Sequence, residues 1–398
     1  MKRILFVDDE SKILDGLQRM LHADRKRWEM QFAVGGEAAL RACEAASFDV
    51  VISDMRMPEM DGATLLGHIR DRFPGTARII LSGYSELTLA TRSVHVAHRY
   101  LAKPCNASEL RSTIERVCTL QDVLCTPQIR GIIGTVGALP SLSSTYTALT
   151  QALSQPNTSI SQVADILGHD VAMSAKVLQL VNSAFFGLAQ TVTNLQSAAS
   201  YLGMETIKNL ALVSEAFRVF VPDSRIPQSI FEAIQQQAQM AAAIAVVLPV
   251  DSKTHDVIIL SALLQDVGRL VLASKMPDKF CSVLARAKEC GCEPFQAEEE
   301  ILGTSHAEIG AYLLGLWGLP DLAVEAIAHH HRPTRIPHYG FDSSLALYVA
   351  GLLAYELNAH PQDETGSELR EFDRACLETL GILPRFAEFR KLASQSHN

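Results

Sequence analysis

The sequence predicts an α/β unit, a five-stranded doubly wound parallel sheet, followed by an all-helical bundle. Up to residue 122, short β-branched or apolar runs alternate with helix-length segments. Gly and Pro then cluster between Pro127 and Pro140, which marks a boundary. Beyond it, Ala- and Leu-rich stretches at helical spacing run almost to the end with no strand signal of any length.

Lys2 to Val7, Met30 to Val34, Val50 to Ser53, Ile79 to Ser82 and Tyr100 to Ala102 read as strands, and the segments near 11–23, 36–46, 61–72, 86–97 and 106–121 as helices. A helix between successive strands is the crossover that parallel pairing needs. In the second part, Gly168, Gly187, Gly203, Pro222, Pro227, Pro249, Pro277, Pro320 and Pro333 break the helical pattern, and no internal repeat is present. The expected units are residues 1–122, a connector over 123–138, a helical domain over 139–335, and helices over 336–398 that pack on or extend it.

The chain has 398 residues, 35 Lys+Arg, 44 Asp+Glu and a net charge of −9. Residues 1–122 hold 17 basic and 17 acidic side chains and the remainder 18 and 27, so the whole excess lies in the second part. A sequence-independent grip on nucleic acid needs a basic surface, which this balance does not offer. No signal peptide follows Met1, and the longest apolar run, around Met240 to Val250, falls short of the ~20 residues of a membrane helix. The expected place is the cytoplasm, with no membrane partner. The eight Cys contain no CxxC pair, only Cys290 and Cys292 as CxC, and read as structural thiols in a reducing compartment.

In open α/β sheets, ligands gather beyond the carboxyl ends of the strands. Asp8, Asp9, Asp54, Ser82 and Lys103 all fall at those ends. Carboxylates brought together there repel, so a cation must balance them, and Mg²⁺ is the hard, oxygen-seeking choice. A Lys and a Ser hydroxyl would then hold an oxyanion on the middle carboxylate. This is the equipment for an aspartyl phosphate.

Residues 2–122 closely resemble the receiver domain of two-component response regulators, through the motifs ILFVDDE, VVISDMRMPEMDG, ILSGYSE and YLAKP. That resemblance implies that Asp54 is the phosphoacceptor. Asp9 and Asp54 would bind Mg²⁺ with the backbone carbonyl of Arg56, and Asp8 would help through water. Ser82 and Lys103 would hold the phosphoryl oxygens, with Pro104 following in a cis peptide. Tyr100 occupies the aromatic switch position, expected to turn inward on phosphorylation.

From about Leu139 to Pro333 the chain resembles the HDOD domain, a relative of the HD metal-dependent phosphohydrolases, through LPSLSSTYTAL, VLQLVNSAFFGL, ALLQDVGRLVL, SHAEIGAYLLGLWGLP and AIAHHH. The catalytic pattern is edited. Gln235-Gln236-Gln237 stands where a His is needed, with Gln236 and Gln237 both open as its replacement. Gln265-Asp266 replaces the His-Asp doublet, and Val349-Ala350-Gly351 lacks the late Asp. Gln coordinates transition metals poorly, so the expectation is a degenerate pocket of Gln265, Asp266, His306, His330 and His331, without a resident metal and with Asp266 paired to Arg269 or a His.

Residues 139–221 contain only Asp165, Asp170, Lys176, Glu205, Lys208, Glu215 and Arg218 as charged side chains, the depletion typical of an interface core. The resulting expectation is a response regulator phosphorylated by a sensor histidine kinase. Its helical output would be non-enzymatic and bind a downstream signalling protein. The oligomeric state is left open by the sequence, although the receiver resemblance implies that a homodimer could form through the helices near 86–97 and 106–121. Two functions compete with this one: a phosphorylation-controlled metal phosphodiesterase acting on a cyclic dinucleotide, and a DNA-binding regulator. Ala164 and Gly168 have helix-turn-helix spacing, but the helix that would enter DNA, about Val171 to Asn182, offers only Lys176 as a cation.

Overall fold

The structure, a computed structural model, describes residues 1–83, 96–123, 127–136, 143–155, 157–182, 191–212, 225–359 and 369–395. β1 (Lys2–Asp8), β2 (Trp28–Val34), β3 (Val50–Asp54), β4 (Ala77–Gly83) and β5 (Arg99–Lys103) form one sheet in the order β2-β1-β3-β4-β5. Every neighbouring pair is parallel. Between and after the strands run α1 (Ser11–Met20), α2 (Gly36–Ala45), α3 (Gly62–Arg72) and α4 (Ala107–Val123). Successive side chains on a strand point to opposite faces. Along β1, Ile4 and Phe6 accordingly join one buried cluster and Leu5 and Val7 the other.

The strands run further than the apolar pattern suggests, because Asp8, Asp54 and Lys103 still pair across the sheet, with Val34, Leu81 and Gly83. Most of the helix expected near 86–97 lies outside the described residues.

The connector holds a helix, α5 (Pro127–Gly134). Proline suits a first helical turn, and glycine suits a close approach. A Cβ on Gly134 would lie 1.8 Å from the Pro74 carbonyl oxygen, so only glycine lets this helix seat on the sheet unit. Buried Arg78 fastens the junction by donating to Gly134 O and Val96 O, both at 2.6 Å.

The helical part comprises α6 (Ser143–Ser154), α7 (Ile160–Gly168), α8 (Val171–Val181), α9 (Leu195–Leu212), α10 (Gln228–Val247), α11 (Ser252–Leu264), α12 (Val267–Lys275), α13 (Pro277–Cys290), α14 (Pro294–Leu302), α15 (His306–Leu316), α16 (Asp321–His329), α17 (Ser343–Ala359), α18 (Glu371–Thr379) and α19 (Leu383–Gln395). Its core is continuous with the sheet face carrying Ile4, Ile52 and Leu101. α15 packs on α4 and α5, with the Leu120 side chain over Gly315. Arg116 pairs with Asp321 at 2.7 Å and donates to Leu319 O.

α8, the helix that would have to enter DNA, is buried along its whole length, Lys176 included, and presents no face to a groove. Two expectations are corrected. Cys290 and Cys292 are joined in a disulfide rather than free, because left-handed Gly291 ends α13 and brings their Cα atoms to 5.2 Å. The stretch Thr254–Lys275 is long and apolar enough to cross a membrane, beyond the run expected as the longest, although 83% of its window is buried inside the protein.

Gly134→Ala drives a methyl into the Pro74 carbonyl, and the expected loss is about 1–3 kcal/mol of stability, as for an overpacked core. Denaturant unfolding checks this; an unchanged midpoint would contradict the seating of α5.

Candidate functional site

At the carboxyl edge of the sheet, β1, β3 and β5 deliver Asp8, Asp54 and Lys103 to one point. Lys103 Nζ lies 2.9 Å from Asp8 Oδ2 and 2.5 Å from Asp54 Oδ1. The Arg56 backbone N–H donates to Asp54 Oδ2 and the Glu10 N–H to Asp8 Oδ1, each at 2.9 Å. The loop after β3 can close this tightly because a Cβ on Gly62 would lie 2.1 Å from the Asp54 carbonyl oxygen.

Asp8 is fully buried and Asp9 half-buried. Burial pushes the Asp54 carboxyl above its usual range against the pull of Lys103. Burial also opposes the Lys103 charge, but its bonds to Asp54 and Asp8 hold the ammonium above its ordinary value. The carboxylates of Asp8 and Asp54, which converge on one ammonium, are hard oxygen donors of the kind that fit a divalent ion.

The Lys103–Pro104 peptide is cis. The backbone of Ser82 pairs with Ala102, while its side chain lies outside the described residues. Tyr100 is already buried in this structure, at 4% exposure, so the expected inward turn is not a change open to this state.

The helical part collects its polar residues around a cavity of about 70 Å³ lined by Gln237, Gln265, Asp266, His330, His331 and Gly351, among others. Of the two glutamines left open by the sequence, Gln237 lines the cavity and Gln236 is exposed. Gln237 Nε2 donates to Gly351 O at 3.0 Å, across the gap where a late Asp was expected. Asp266 Oδ1 lies 3.7 Å from Arg269 Nη1 and 3.4 Å from His306 Nε2, meeting both of its expected partners.

His306 Nε2 is 3.0 Å from His331 Nε2, and His306 Nδ1 is 2.7 Å from Glu298 Oε2. His330 is buried, and its basicity falls to a pKa of about 4, through desolvation and then its neighbour His306. Glu298 was missed in the sequence. It sits in the run Glu298-Glu299-Glu300, where only the first residue turns inward, to 0% exposure.

Comparison with known families agrees with both halves of this geometry. Residues 4–115 match the response regulator receiver domain and residues 139–333 match the HDOD domain. The chain is a response regulator with an HDOD output domain. The regulator is 26% identical over 200 residues to an uncharacterized protein of Treponema pallidum (strain Nichols), covering 50% of this chain and 38% of that one. It is 34% identical over 126 residues to the regulatory protein AtoC of Escherichia coli (strain K12), covering 31% and 26%. It therefore spans well under two thirds of the length of either relative.

Among solved structures, the signal receiver domain of an HD domain-containing protein from Pseudomonas fluorescens Pf-5 is 33% identical, over 31% of the regulator and 98% of that chain, with a TM-score of 0.30. A response regulator receiver domain protein from Clostridium thermocellum is 34% identical, over 31% and 100%, also with a TM-score of 0.30.

Removing the regulator's Lys103 ammonium leaves Asp8 and Asp54 as unbalanced, largely buried carboxylates. A raised Asp54 pKa means that the folded state holds its proton more tightly than the unfolded one, so stability falls as pH rises through that range. Lys103→Met raises this pKa further. The expected result is a loss of about 1–3 kcal/mol near neutral pH that shrinks on acidification. Urea unfolding across the acid range checks this, and a loss independent of pH would contradict it.

Proposed function

We propose that Asp54 accepts a phosphoryl group from a sensor histidine kinase, and that this controls a non-enzymatic HDOD output that binds a protein partner. The observation that carries the reading is the single ammonium of Lys103 shared between Asp8 and Asp54. Asp54 attacks the phosphohistidine phosphorus; the P–N bond breaks as the Oδ–P bond forms, and the histidine leaves. Mg²⁺, when bound by Asp9, Asp54 and the Arg56 carbonyl, supplies neutralisation of the gathering negative charge. Lys103 turns from the Asp54 carboxylate to the phosphoryl oxygens, and Ser82 is assigned the hydroxyl contact. The added charge, about −1.5 to −2, thereby changes what Lys103 is bonded to.

The response is taken to travel along β5. Its last residue is Lys103, and its first, Arg99, packs beside Gly318 at the end of the α15 region. α4 adds the Arg116–Asp321 pair to the same contact. Receiver pairing through the 106–121 helix uses a surface that α15 covers here, so pairing and docking compete.

For the output, the cavity of about 70 Å³ is small beside the roughly 300–1,000 Å³ of small-molecule sites, which argues against a cyclic dinucleotide substrate. The loss of imidazole at Gln237 and Gln265 and of a carboxylate at Gly351 argues the same way. The candidate docking place is a groove of about 540 Å³ between the charge-poor lobe and α11, lined by Ala164, Gly168 and Asp165 of the lobe and by Asp256, Leu260 and Leu263 of α11.

Acetyl phosphate with Mg²⁺ is expected to modify the wild-type regulator and leave Asp54→Ala unmodified, read by intact mass. Equal modification of both would overturn the phosphoacceptor assignment, and metal-dependent turnover of a cyclic dinucleotide would overturn the non-enzymatic output.

A further inference from the structure

We propose that His306, His330 and His331, together with Asp266, form a binding site for one first-row transition metal ion, with zinc the best chemical match. The site goes beyond the docking reading and does not rest on it. Its four residues belong to the pocket expected to be degenerate and without a resident metal: Gln237, Gln265 and Gly351 take no part as ligands, and imidazoles from α15 and from the end of α16 supply the nitrogens.

Hydrogen bonding sets the tautomers. The Ile327 carbonyl, which can only accept, lies 2.7 Å from His330 Nδ1, so that nitrogen carries the proton and Nε2 keeps its lone pair. His306 Nδ1 faces the carboxylate of Glu298 at 2.7 Å, and the His306 backbone N–H donates to the same oxygen at 2.6 Å. Its Nε2 therefore keeps its lone pair, which without an ion accepts from His331 Nε2, 3.0 Å away. Metal-bound histidines are typically oriented in this way, with the far nitrogen held by a carboxylate or a carbonyl. Stacking of His331 on Phe295, with centroids 4.4 Å apart and planes 10° apart, fixes the third ring.

One nitrogen from each of the three imidazoles lies within 4.8 Å of the others. Asp266 Oδ1, 3.4 Å from His306 Nε2, supplies an oxygen. His306, His330 and the Asp266 side chain are all at least nine-tenths buried.

Charge favours a cation here. Asp266 and Glu298 are two buried carboxylates, and among the described residues Arg269 is the one cationic side chain other than histidine paired with either of them. A divalent ion offsets the surplus that burial makes costly. Three imidazoles and one carboxylate suit Zn²⁺ and its neighbours, whereas Mg²⁺ prefers an all-oxygen shell. Asp266, His330 and His331 also border the cavity of about 70 Å³, which leaves space for a water on the ion. The ion would join the α11–α12 junction to α15 and α16, the same helix pair on which the receiver docks.

The test uses the full-length regulator stripped of metal, with excess Mg²⁺ to fill the oxygen site at Asp54, titrated with Co²⁺ and then displaced by Zn²⁺. Wild type is expected to bind about one Co²⁺ per chain with the intense visible bands of a four-coordinate, nitrogen-ligated ion. His306→Gln and His331→Gln are expected to abolish those bands, and Glu298→Gln to weaken binding by about 10–100-fold. His329→Gln, in the same histidine run but outside the cluster, is expected to bind as wild type does. A wild type that shows only the pale spectrum of aqueous Co²⁺ would overturn the site, as would undiminished binding by folded His306→Gln and His331→Gln. Should those two variants fail to fold, the wild-type spectrum and its displacement by Zn²⁺ decide alone.

Discussion

One ammonium group balances the two buried carboxylates at the carboxyl edge of the receiver sheet. Lys103 reaches back from the end of β5 to Asp8 and Asp54, and without that contact the ends of two strands, β1 and β3, carry like charge in a poorly solvated place. Such an arrangement is stable only with its counter-ion, so any new negative group near Asp54 must redistribute what Lys103 holds. Because Lys103 pairs within the sheet, opposite Gly83, a change in its position is passed to the strand as well as to its side chain.

The two domains are joined more closely than two beads on a linker. One hydrophobic cluster runs from the α4 face of the sheet into the helical bundle. α5 lies against Pro74, and Arg78 bonds to its last residue. β5 therefore has the Asp8–Asp54–Lys103 cluster at one end and the domain contact at the other, at Arg99. A rigid element with different chemistry at its two ends is a physical means of coupling them, provided that it has two arrangements to choose between.

The α/β unit was legible in the sequence because β-branched runs alternate with helical segments, and because the polar residues fall at equivalent strand ends. What escaped did so for local reasons. Gly and Pro in the connector read as a break, yet Pro127 opens a helix and Gly134 makes its close approach possible. Helix phase left Gln236 and Gln237 equivalent, and only the packing of α10 against α17 turns Gln237 inward. Glu298 was hidden in a run of three acids, although its carboxylate orients His306.

The most direct measurement is hydrogen–deuterium exchange on the full regulator with Mg²⁺, with and without beryllofluoride as a phosphoryl mimic. If charge at Asp54 acts through Lys103 and β5 on the domain contact, exchange changes in α4, at 107–123, and in α15, at 306–316, as well as around Asp54. A response confined to the loops carrying Asp8, Asp54 and Lys103, with α4 and α15 unchanged, would contradict it.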